Sequence, residues 1–154
     1  MRRTSLGFFA LLFVFACSRP ATVAPAPTAS FKQVVISLAT KPGGKQHFTV
    51  TPDRVTISIR NGDQVEWIVS DNTDLDLTNV QITKFLGEKT GKTDPFGNGG
   101  TFTFPQVSAH SNSEQPSGAA KPDYDEYTYI VTGTIMVNGN PVQVTLDPRV
   151  IISQ

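Results

Sequence analysis

Beyond residue 30 the apolar side chains recur at every second position, and that spacing narrows what the chain can fold into. Val34, Ile36 and Leu38 alternate, as do Val55, Ile57 and Ile59, and Val65, Trp67 and Val69. The pattern returns in Val80 and Ile82, in Phe102 and Phe104, and in Tyr127, Tyr129 and Val131. It closes with Ile135 and Val137, then Val142, Val144 and Leu146, then Val150 and Ile152. Successive side chains of a strand point to opposite faces, so β-branched and aromatic residues at this period make strands with one buried face. No segment sustains a helical period. The expectation is an all-β chain of about eight or nine short strands forming a single Greek-key β-sandwich over residues 31–154.

Asn61-Gly62 and Asn138-Gly139 are the sharpest turn signals, because Asn and Gly accept the positive φ of a tight hairpin. Pro141 after the second belongs at a strand start or on an edge. Two stretches, 84–100 and 105–125, are rich in Gly, Pro, Ser, Asn and Lys and lack the alternation. Irregular loops of that length tend to be functional or disordered. Their aromatic residues Phe85, Phe96 and Tyr124 are the expected docking residues for a partner, since aromatic anchors dominate interface energetics.

The first thirty residues differ in kind. Arg2 and Arg3 precede an apolar run from Leu6 to Ala16, then Cys17, then polar, Pro-rich sequence. A membrane span needs about 20 apolar residues, and this run is about half that. The layout fits a secretory signal peptide over residues 1–16. Val14, Ala16 and Cys17 resemble the lipobox of bacterial lipoproteins. That resemblance implies cleavage before Cys17 and a lipidated Cys17, whose several acyl chains would hold the protein on a membrane. Ser18, rather than Asp, follows the cysteine. In Gram-negative lipoproteins this favours the outer membrane, facing the periplasm. Residues 17–30 then read as the lipidated Cys and a Pro/Ala-rich tether, extending at about 3.1 Å per residue to roughly 40 Å.

The chain carries 13 basic and 13 acidic residues; removing Arg2 and Arg3 leaves 11 against 13. No basic run or basic patch points to nucleic acid. Cys17 is the single cysteine, so no disulfide is possible within the chain.

Within 47–82, His47-Phe48-Thr49-Val50-Thr51-Pro52-Asp53-Arg54-Val55-Thr56-Ile57 leads into Arg60-Asn61-Gly62-Asp63-Gln64-Val65-Glu66-Trp67. Pro, an alternating strand, Gly-Asp and Val-x-Trp resemble the N-terminal half of the cupredoxin domain of small blue copper proteins. Tyr127-Thr128-Tyr129-Ile130-Val131 resembles that family's later strand bearing the copper cysteine. The resemblance implies a cupredoxin-like sandwich. A type 1 site needs two His, a Cys thiolate and usually an axial Met. Here Leu75–Asn79 holds no His, Val131 stands at the Cys position, and Met136 lies in a strand pattern. The expectation is a copper-free domain, with no metal and no cofactor. Asp125-x-x-x-Tyr129-x-Val131 also resembles the tyrosine-corner strand of an immunoglobulin-like sandwich, which remains the alternative.

Other clusters are weaker. His47 and His110 are the two histidines, and with a carboxylate they could serve Zn or Cu. Asp71, Asp74 and Asp76 lack the alternation and Gly of a Ca²⁺ loop, so a solvated connection is expected. Gly87-Glu88-Lys89-Thr90-Gly91-Lys92-Thr93 is one residue short of a P-loop and has no helix to open, so it reads as a flexible loop. Asp123, Asp125 and Glu126 read as a polar strand cap, and Trp67, Tyr127 and Tyr129 as core aromatics. The functional expectation is a membrane-anchored envelope lipoprotein, a non-catalytic binding or protein-interaction module with an envelope protein partner. The alternatives are a metal-handling periplasmic protein using His47 and His110, and an accessory subunit of a membrane complex.

Overall fold

Alternating residues become strands because each buries one side-chain row and leaves the other in water. The computed structural model describes residues 28–154; the expected signal peptide, Cys17 and the expected tether as far as residue 27 lie outside the described residues. Ten strands form, and no helix is present among the described residues. They are β1 (Phe31–Thr40), β2 (Gln46–Thr51), β3 (Arg54–Ser58), β4 (Gln64–Asp71) and β5 (Leu77–Gly87). After them come β6 (Phe102–Val107), β7 (Asn112–Pro116), β8 (Asp125–Val137), β9 (Asn140–Leu146) and β10 (Arg149–Ser153).

The strands make two sheets. One has the order β2-β1-β4-β7; the other has β3-β10-β8-β5-β6, with β9 on the remaining length of β8. β1 runs parallel to β4 and β3 parallel to β10, and every other pair is antiparallel. The chain therefore crosses repeatedly between sheets, as a Greek-key sandwich requires. Immunoglobulin sandwiches are built of two antiparallel sheets. A parallel pair in each sheet departs from that wholly antiparallel arrangement.

The turn signals divide. Asn138-Gly139 closes the β8–β9 hairpin with φ of 50° and 77°, and Val137 pairs with Asn140. Positive φ at both central residues is what a twisted two-residue hairpin needs. Pro141 lies on β9, opposite Met136. Asn61-Gly62 instead joins β3 in one sheet to β4 in the other, so it closes no hairpin.

The stretches expected to be irregular are strand in part and otherwise connections. β5 continues through residues 84–87, β6 reaches Val107, and residues 112–116 form β7. Phe85 is 1% exposed and Phe96 6% exposed, and both belong to the core. Their rings pack edge-on at 5.7 Å, and each lies against Trp67, at 6.3 and 6.4 Å. Neither is a docking residue. Burying these rings against Trp67, Phe102 and Tyr129 removes more apolar surface than an exposed loop position would allow. Tyr124 alone of the three is exposed, at 50%.

The sandwich has two poles. At the near pole the chain arrives at β1. Ser30 donates to Asp63 Oδ1 through its hydroxyl (2.9 Å) and its N–H (3.3 Å), Ser58 N–H donates to Oδ2 (3.1 Å), and Gln64 N–H donates to the Ser30 carbonyl (3.0 Å). This pole also holds the connections 88–101 and 117–124. At the far pole lie the connections 41–45, 72–76, 108–111 and 138–139.

Candidate functional site at the far pole

The far pole carries an open cleft of about 820 Å³. The outward residues Ser37, Ala39 and Thr49 of the β1–β2 pair form one wall, and Asn72, Thr73 and Asp74 form another. The partly buried Leu75 and Val137 add apolar surface between them. Small and hydroxylated residues leave the cleft wide, and Asp74 is the one charged residue lining it.

Asp71 shapes the wall. As the last residue of β4 it falls on the inward phase of the strand and is fully buried. Its Oδ1 accepts from Thr73 N–H (2.8 Å) and Thr73 hydroxyl (2.7 Å), and Thr73 Oγ1 accepts from Leu75 N–H (3.2 Å). These bonds fold 71–75 into a tight turn, a habit of Asp, whose short side chain competes for nearby backbone N–H groups. Asp71 Oδ2 is buried with no partner among the described residues. Asp76 accepts from Ala109 N–H (3.1 Å), Asp74 lies 2.9 Å from His110 Nε2, and Asp71 N–H donates to the Ser111 carbonyl (2.9 Å). The acidic stretch expected as a loosely solvated connection is thus stitched to the β6–β7 turn.

The two histidines share this pole, each with its own partner. His47 Nδ1 lies 3.0 Å from the Ala39 carbonyl across the β1–β2 ladder. His110 holds φ 56° in the β6–β7 turn and faces Asp74. Among the described residues no three His, Cys, Asp or Glu side chains are grouped so as to hold a metal ion. Val131 is fully buried and pairs with Ile82 and Leu146, while Met136 is 47% exposed on the β8–β9 hairpin.

The near pole is built differently. Residues 87–92 wind around Asp125, which accepts from Lys89 N–H (3.0 Å), Thr90 N–H (2.7 Å), Thr90 hydroxyl (2.8 Å) and Glu126 N–H (2.8 Å). The expected flexible loop is therefore pinned. Burial pushes the Asp125 carboxyl upward, but the donors from Thr90, Glu126 and Lys89 outweigh it and hold the group below its ordinary range. Lys121 pairs with Asp94 (2.8 Å), Lys92 with Asp123, and Arg149 with Glu88 (2.6 Å) and Glu126 (3.1 Å). Asp123 and Asp125 are occupied in holding the 87–92 loop, and Glu126 in pairing Arg54 of β3 and Arg149 of β10. Trp67, Tyr127 and Tyr129 are buried and offer no face to a ligand. The far-pole cleft is composed of residues that the sequence pattern does not group; only the turn chemistry of Asp71-x-Thr73 beside it was there to mark them.

No protein-family model and no curated protein matches this chain. Among solved structures it is similar to a laccase from Pediococcus acidilactici, at 9% identity over 88% of this chain and 28% of the laccase, with a TM-score of 0.37. It is also similar to the multicopper oxidase mgLAC, at 14% identity over 82% of this chain and 39% of that one, with a TM-score of 0.36. The chain spans well under half the length of either.

Proposed function

We propose that this protein is an envelope lipoprotein, held to a membrane through Cys17, whose sandwich is a non-catalytic binding module without type 1 copper. It presents its far pole to an envelope protein partner. One observation carries the orientation: Ser30 and Asp63 fix the arriving chain at the pole opposite the cleft. A domain tethered there directs its cleft away from the anchor. The hydroxyl- and amide-bearing walls suit a polar protein segment that exchanges hydrogen bonds with them, and the partly buried Leu75 and Val137 offer apolar contact. The ligand set of a blue-copper site has no counterpart in Val131 and the outward-facing Met136.

Two measurements test this reading. Membrane fractionation of a Cys17→Ser variant should find the domain released. Retention through a high-salt wash would end the anchor part. Photo-cross-linking in intact envelopes from Asn72 and Thr49 should capture one protein at reproducible stoichiometry, while a cross-linker at Gly97 on the near pole should not. Equal capture from both poles would refute the assigned face.

A further inference from the structure

The larger sheet packs one face on the core and turns the other to solvent, and a broad field of that outer face is free of charge. Along β8 the outward residues from mid-strand onward are Ile130, Thr132, Thr134 and Met136. Opposite them on β5 stand Thr83, Gln81 and Thr78, and on β9 stand Thr145, Gln143 and Pro141. Directly paired residues share a face of the sheet. This field on three adjoining strands therefore holds no charged side chain. Depletion of charge separates the centre of a protein interface from ordinary surface, and methionine is enriched there.

Two charges of opposite sign flank the field at one level of β8. Lys84 lies on β5 between Thr83, which pairs with Ile130, and Leu86, which pairs with Thr128. Asp147 follows Leu146, which pairs with Val131 from the other side of β8. With Leu86, Thr128 and Ile130 the two border a hollow of about 400 Å³, and Leu86 is 51% exposed. Neither Lys84 nor Asp147 makes an ion pair among the described residues. Arg149, opposite Thr128 on β10, is already held by Glu88 and Glu126.

We infer that this outer face is an interface between two copies of the chain, related by a two-fold axis that lies in the plane of contact and runs along β8. The occupant follows from the placement of the two charges. Such an axis exchanges the two sides of β8, so Lys84 of each copy meets Asp147 of the other, and the uncharged β8 row meets itself. An axis across the strands would instead set Lys84 against Lys84 and Asp147 against Asp147, which costs affinity. A partner with a neutral face would cover both charges unpaired, at a desolvation cost that a second copy offsets. β8 runs from the near pole at Asp125 to the far pole at Val137, so the axis runs pole to pole. Both copies then send their N-terminal segments one way and their clefts the other. Two chains held in one membrane through Cys17 can pair in this manner, and confinement there raises their effective concentration. That last step rests on the anchoring reading above, whereas the face and its charges do not.

The test uses the full chain in intact envelopes. A photo-cross-linking residue placed at Thr132 or at Thr134 should give a product of two copies, identified by peptides of this chain alone. The same residue at Glu114, on β7 of the other sheet, should not. Lys84→Asp turns both flanking pairs into like charges, and Asp tolerates the φ of 54° at that position. It should weaken the pairing by about tenfold, as should Asp147→Lys. The two substitutions together should restore the product, which also shows that neither acts by unfolding the domain. No two-copy product from Thr132 and Thr134, an equal yield from Glu114, or a double variant no better than the single ones would each overturn the interface. Fractionation of the Cys17→Ser variant decides the anchor by itself, so a failed anchor and a failed interface are told apart.

Discussion

Single residues carry more of this fold than their surroundings in the sequence suggest. Phe96 stands in a connection rich in Gly, yet its ring lies edge-on to Trp67, Phe85 and Phe102 at 6.4, 5.7 and 5.8 Å. Truncating it leaves a cavity the pinned loop cannot close. Phe96→Ala should cost about 3–5 kcal/mol in denaturant unfolding. Tyr124→Ala, at an exposed site, should stay within about 0.5 kcal/mol. A small loss for Phe96→Ala would mean that its burial is incidental. The sequence offered no sign separating these two, since both are aromatic residues in polar stretches. What separates them is the loop's path, which is set by distant pairs such as Asp94 with Lys121 and by the N–H donors on Asp125.

At the scale of elements, alternation located the strands wherever it was unbroken and failed where a bulge broke it. In β5 the buried positions are Leu77, Val80, Ile82, Phe85 and Gly87, so the inward step is three, two, three, two. The register against β8 shifts at two places, between Thr78 and Gln81 and between Thr83 and Leu86. Asn79 and Lys84 sit there with φ of 50° and 54°. Each bulge inserts one residue and resets which face follows. A strict period of two therefore ended the strand at Ile82 and left Phe85 in a loop, whereas the second bulge returns Phe85 to the core. β7 was illegible for another reason: as an edge strand reading Asn-Ser-Glu-Gln-Pro, it buries no residue. Lys84 gives an element-level test. A β-branched side chain resists positive φ and glycine accepts it, so Lys84→Val should lower stability by about 1–2 kcal/mol and Lys84→Gly should hold or raise it. If both variants unfold alike, the bulge does not depend on that backbone conformation.

Over the whole molecule, the stabilising carboxylates are gathered at one end. For Asp63, burial pushes the carboxyl up, but the Ser30 hydroxyl and the Ser58 and Ser30 N–H groups hold it below the ordinary value of 3.8. For Asp94, burial is likewise outweighed by Lys121 and by the Gly97 N–H, and Asp125 is lowered by the donors already named. A carboxyl that ionises more readily when folded adds stability above its unfolded pKa and loses it as pH falls through the folded value. All three belong to the near pole, where they fix the arriving chain and the connections 88–101 and 117–124. Acid should therefore loosen the molecule from that end. Between neutral pH and about pH 3, hydrogen exchange corrected for its intrinsic pH dependence should rise first in segments 28–31, 58–64 and 88–100. Segments 46–50 and 104–107, which lie outside this carboxylate set, should follow only with global unfolding. Asp125→Asn removes a charge that its donors favour, so it should reduce protection of 88–92 at neutral pH and flatten the acid dependence there. Loss of protection at the same rate everywhere would show that these groups share one cooperative unit with the far pole, and that the two ends of the sandwich do not respond to acid independently.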